Sequence, residues 1–140
     1  GYAVKLDTNG LRADIVYRLL AESMVDYIAL DYKAPEAKFK HVTGTDKFGV
    51  FQKSLDLLCG QTSIPFEVRT TVHTDFLDEN DVQTIIDDLS ARHFSGTYAI
   101  QNYLHRDDPP TLGHTLPQSR SLKLSSLDPR TLRLDIRNFA

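Results

Sequence analysis

Cysteine is almost absent. Cys59 stands alone among 140 residues, so the chain cannot build a disulfide framework of its own, and a reducing cytoplasm fits that usage. Long apolar runs are missing too: nothing approaches the roughly 20 residues of a membrane span, and no signal peptide opens the chain. These absences predict a cytoplasmic protein with no membrane partner. The net charge of −3 comes without a Lys/Arg run or a basic-aromatic stripe, so nucleic acid is not an expected partner. No GxGxxG, GxxxxGK[ST] or GxSxG string occurs. His41, His73, His93, His105 and His114 lack ligand spacing such as HxxxH, which argues against zinc.

What remains is ordinary for one compact domain, with 41% hydrophobic and 25% charged residues. Four segments alternate apolar with charged or amide side chains. They are Ala3–Asp7, Tyr27–Lys33, Phe66–Val72 and Tyr98–Asn102. Helix-like stretches separate them, which predicts βαβ units and a parallel sheet. Buried parallel strands usually read as continuous apolar runs. Here one face offers Lys5, Asp7, Asp31, Lys33, Glu67, Arg69 and Gln101 instead, a polar wall suited to a ligand.

The periodicity predicts strands at about residues 2–7, 26–33, 65–73 and 97–103, and helices at about 11–23, 47–60 and 79–91. Asp7-Thr8-Asn9-Gly10 reads as a turn, and Pro35 stops the second strand. Residues 36–44 read as a loop or short helix. The acidic run Asp78–Asp81 reads as a helix cap, and Cys59 as core. Residues 1–103 then form the β/α units, and residues 104–140 a loop-rich tail with a possible last strand at Leu132–Ile136. Four or five such units make part of a barrel or an open sheet, with the ligand at the carboxyl ends of the strands.

Asp31 and Lys33 share a face about 6.6–7 Å apart. Lys33 suits an anionic group and Asp31 a cation or amine; a salt bridge at the strand end is the alternative. Asp7 and Thr8 offer hard oxygens for an alkali or alkaline-earth ion, although Thr8 is more simply a turn residue. Arg69 is a carboxylate clamp by its planar fork, or half of an internal pair with Glu67. The residues leave both open.

The strings Val4-Lys5-Leu6-Asp7-Thr8-Asn9-Gly10, Asp26-Tyr27-Ile28-Ala29-Leu30-Asp31-Tyr32-Lys33-Ala34-Pro35 and Phe66-Glu67-Val68-Arg69-Thr70-Thr71-Val72 together resemble the radical S-adenosylmethionine activating enzymes. The anaerobic ribonucleoside-triphosphate reductase activating proteins and pyruvate formate-lyase activating enzyme form the branch most resembled. The likeness runs over about residues 2–103. It implies the C-terminal portion of a partial (β/α)6 TIM-like barrel, with helices on the outer face. It further implies S-adenosyl-L-methionine and a [4Fe-4S] cluster as cofactors, a glycyl-radical enzyme as partner and an electron donor such as flavodoxin. By position, Asp7, Thr8, Asp31, Lys33, Arg69 and Gln101 would contact the cofactor. Asp7, Thr8, Asp31 and the Ala29 carbonyl would hold a monovalent cation.

The CxxxCxxC motif of that group is absent, and one cysteine cannot ligate the cluster. The expectation is therefore a fragment whose cluster ligands lie outside this chain, inactive by itself, with an exposed edge at its first strand. Two rival readings stand beside it. Asp31-x-Lys33-x-x-Glu36 resembles the DxKxxD string of the orotidine-monophosphate decarboxylase group. Alternatively, the wall is a structural ion network in a non-catalytic domain that binds a small anion or a protein.

Overall fold

A computed structural model describes residues 1–105 and 116–139. Five strands form one sheet in the order of the chain, every neighbouring pair parallel. They are β1 (Lys5–Thr8), β2 (Tyr27–Asp31), β3 (Phe66–Val72), β4 (Thr97–Asn102) and β5 (Arg133–Arg137). Sequential order without reversal, joined by crossovers of one hand, puts all helices on one face. That is the winding of a barrel segment rather than of a doubly wound sheet.

The helices α1 (Ala13–Ala21), α2 (Glu36–Thr43), α3 (Phe48–Cys59) and α4 (Glu79–Ala91) cover that face. Side chains alternate along each strand, so Ile28, Leu30, Val68, Val72, Tyr98 and Ile100 point into the helical layer and are buried there. They meet Val16, Phe39, Phe51, Leu55, Leu58, Ile85, Ile86 and Leu89 in a single core. Among the described residues no helix is long and apolar enough to cross a membrane.

Residues 36–44 form a helix, α2, although their apolar periodicity is weak. Phe39 anchors it beside Phe48 and Phe51, and Gly44, at φ +76, ends it by returning its N–H to the Lys40 carbonyl. The acidic start of α4 is a reciprocal cap: the Asp81 N–H donates to Asp78 Oδ1 at 3.0 Å, and the Asp78 N–H to Asp81 Oδ2 at 2.8 Å. Cys59 is half-buried at the end of α3, and burial pushes its thiol up.

Where a β/α repeat would place another helix, the described part of the β4–β5 connection has one 3₁₀ turn, Leu124–Ser126. It is strapped to α4 instead. Arg120 donates twice to Glu79, at 2.7 and 2.8 Å, and the Lys123 N–H adds a third bond to the same carboxylate. Gln83 exchanges two hydrogen bonds with the Asp128 backbone, and Arg130 pairs with Asp87. Leu122 is buried beneath, so the strap completes the core.

The strap predicts an acid response. Arg120 and the Lys123 N–H hold the Glu79 carboxyl down at about 2, against 4.5 ordinarily. A depressed folded value stabilises the fold above the ordinary value and is lost as the pH falls. Thermal melts between pH 4.5 and 2 should therefore decline less steeply in Glu79→Gln than in the wild type. Parallel declines would show that this bond set adds nothing.

Candidate functional site

The uncovered sheet face carries the odd-numbered residues of every strand. Register sets them in rows: Asp7, Ala29 and Glu67 side by side, then Asp31, Arg69, Ala99 and Asp135, then Gln101 beside Thr71 and Arg137. Lys33 follows Asp31 on the same side, beyond the end of β2.

Arg69 is the hub. Its Nε and Nη2 both donate to Asp31 Oδ1, at 3.1 and 3.0 Å, and Nη1 stands 3.5 Å from Asp7 Oδ2. Lys33 Nζ lies 3.8 Å from the other Asp31 oxygen, an ion pair too long for a hydrogen bond. Exposure rises from 15% at the Arg69 side chain through 32% at Asp31 to 61% at Asp7, so the network opens toward β1. Lys33 and Arg69 Nη1 thus keep donor capacity for a ligand. No Arg69–Glu67 pair forms.

Glu67 has other partners. It is buried, 2.8 Å from Arg137 Nη2 and 3.4 Å from Lys5 Nζ. Ala99 stands in the row between that of Glu67 and that of Arg137. Arg137 also pairs with Asp135 at 2.8 Å, and Lys5 lies over the Tyr27 ring. Beside this network opens a cleft of about 570 Å³, within the usual range for a small-molecule site. Asp31, Lys33, Arg69 and Gln101 line it, together with His73, Phe76 and Tyr103.

The predicted site residues are therefore not all together. Asp31, Lys33, Arg69 and Gln101 line the cleft, and Asp7 joins through Arg69. Gln101 Oε1 accepts from the Thr71 hydroxyl at 3.4 Å. Thr8 lies on the opposite pleat from Asp7, and its hydroxyl accepts the Gly10 N–H at 3.1 Å. Ala29 is fully buried within β2, between Asp7 and Glu67. Among the described residues no group of three or more His, Cys, Asp or Glu could hold a metal ion. Glu36, from the DxKxxE string, is exposed in the first turn of α2 rather than on the wall.

Arg137 and His73 were not part of the sequence reading of the wall. Arg137 lies one position past the strand expected to stop at Ile136, although the alternation Arg133-Leu134-Asp135-Ile136 already put it on the polar face. His73 was weighed only for metal spacing. It follows β3 at an odd position and stacks between Phe76 and Tyr103, with ring centroids 5.0 and 4.8 Å away. Its Nδ1 accepts the Asp75 N–H, so the ring donates from Nε2 to the Leu116 carbonyl at 2.6 Å.

The chain is similar to a protein of Methanocaldococcus jannaschii named "Putative glycyl-radical enzyme activating enzyme". The two are 28% identical over 131 residues, 91% of this chain and 53% of that protein. The chain thus spans about half the length of this relative. The likeness is distant, and it supports the general activating-enzyme reading alone. No family profile matches the chain, and no solved structure does.

Proposed function

We propose that this chain is the S-adenosylmethionine-binding part of a radical activating enzyme whose partner is a glycyl-radical enzyme of the ribonucleotide reductase or pyruvate formate-lyase type. One observation carries the reading. Asp7, Asp31 and Arg69, from three adjacent parallel strands, form one network that opens with Lys33 into a cleft near the carboxyl ends of the strands. The methionine end of S-adenosylmethionine presents a carboxylate and an ammonium. Lys33 and Arg69 Nη1 complement the first, and Asp31 and Asp7 the second.

When bound together, the cofactor and a reduced [4Fe-4S] cluster supply a 5′-deoxyadenosyl radical, which takes hydrogen from a glycine of the partner. The cluster does not fit this chain, since Cys59 is its one cysteine and lies in the helical layer. Its ligands belong to another part of the polypeptide, and the electron to a donor such as flavodoxin; this chain alone is inactive. Between Asp7 and Asp31, Arg69 already supplies the positive charge that a monovalent cation would bring.

Titration calorimetry of this chain with S-adenosylmethionine tests the reading. Binding should weaken about tenfold in Asp31→Ala, the loss of one charged hydrogen-bond partner. Unchanged affinity would remove Asp31 from the site. A wild type that takes inorganic phosphate and ignores S-adenosylmethionine would leave a small-anion domain, the reading favoured by how fully Asp31 is already paired.

A further inference from the structure

The residue between Asp31 and Lys33 points the other way. Tyr32 is buried in the helical layer, beyond the last residue of β2, and Pro35 soon carries the chain out of the sheet. Its two flanking peptide groups carry the two site residues. A strand end there should fray, because the regular ladder has stopped.

Both peptide groups are tied to β3 all the same. The Tyr32 N–H donates to the Arg69 carbonyl at 2.8 Å. The Tyr32 carbonyl accepts from the Thr70 hydroxyl at 2.7 Å, and Thr70 Oγ1 in turn accepts from the Tyr98 hydroxyl at 2.7 Å. The direction of this relay is forced. A carbonyl has no proton to give, so Thr70 must donate to it, and Tyr98 must donate to Thr70. Burial pushes the Tyr98 phenol well above its ordinary value, so it keeps that proton. Thr70 and Tyr98 are almost wholly inaccessible, and water cannot replace either bond. The Tyr32 side chain is anchored as well, its hydroxyl donating to Asp88 at 2.7 Å.

We infer that Thr70, with Tyr98 behind it, is a positioning residue: from the covered face of the sheet it locks the peptide groups that aim Asp31 and Lys33 into the cleft. The inference rests on the cofactor reading above, but it makes a structural claim of its own. Thr70 touches no ligand; it sets the geometry of residues that do. Its neighbour Arg69 points to the opposite face, so one dipeptide of β3 supplies both the hub of the wall and the lock behind it.

The test compares Thr70→Val, Thr70→Ser and wild type in two measurements. Thr70→Val keeps the shape and strands two buried polar groups, the Tyr32 carbonyl and the Tyr98 hydroxyl. Leu132→Ala, a buried residue just before β5 and on the far side of the sheet from β2, controls for lost stability. Hydrogen exchange at the Tyr32 amide, taken relative to the Leu55 amide on the buried side of α3, should rise about tenfold in Thr70→Val and return in Thr70→Ser. S-adenosylmethionine affinity, by calorimetry, should follow the same order with a loss of about tenfold. Leu132→Ala should lower the melting temperature and change neither the exchange ratio nor the affinity.

An unchanged exchange ratio in Thr70→Val, or no return in Thr70→Ser, would overturn the inference. So would an equal loss of affinity in Leu132→Ala. Should the wild type not bind S-adenosylmethionine, the cofactor reading fails, and the exchange ratio alone decides whether Thr70 locks β2.

Discussion

Arg69→Ala should weaken S-adenosylmethionine binding by about a hundredfold, since truncating a desolvated, hydrogen-bonded charge removes its own contact and frees its partners. The Arg69 side chain joins β1, β2 and β3 through Asp7 and Asp31. Without it, among the described residues Asp31 keeps only the long contact to Lys33, and two carboxylates face the ligand with less positive charge between them. Arg69→Lys should recover part of the loss, because a single ammonium cannot span both carboxylates as the fork does. Calorimetry beside thermal melts separates the roles. A lower melting temperature at wild-type affinity would make Arg69 a brace and nothing more.

Gly10→Ala should destabilise the fold sharply for one added methyl group. Gly10 sits at φ +72 in the turn after β1. Its Cβ would come within 2.9 Å of Leu30 Cδ1, 3.0 Å of Phe51 Cδ2 and 3.3 Å of Ser54 Cβ. Its carbonyl also accepts from the buried Ser54 hydroxyl at 2.6 Å, so the turn cannot lift away cheaply. The left-handed conformation and the overpacking together cost about 2–4 kcal/mol. At this chain length that lowers the melting temperature by about 5–15 °C. An unaltered melt would show that the turn relaxes without disturbing α3.

The elements were legible where pattern and punctuation agreed. β3 and α4 fall within a residue of their expected bounds, because a clean alternation and an acidic cap frame them. β1 was expected at residues 2–7 and runs over Lys5–Thr8. The Asp26 carboxylate takes the Val4 N–H at 2.6 Å, and the Val4 carbonyl serves Asp26 and Tyr27, so regular pairing starts one residue later. β2 ends at Asp31 instead of Lys33, its next carbonyl being claimed by a side chain. α2 was ambiguous for a different reason: one aromatic, Phe39, holds it in the core, and single anchors leave no periodic signal.

The site divides in the same way. Alternation alone determined that Asp7, Asp31, Glu67, Arg69 and Gln101 share one face, since a strand turns every second side chain to the same side. Glycine after Asn9 likewise announced a turn. Which charges pair was decided only by the folded sheet. Arg69 and Glu67 are neighbours in sequence, yet Arg69 binds Asp31 and Asp7 while Glu67 binds Lys5 and Arg137. Same-face residues on one strand stand about 6.6–7 Å apart, whereas adjacent strands lie about 4.8 Å apart. For Arg69 and Glu67 the nearer partner is therefore across the sheet, at a register that only the packing of helices on the other face can set.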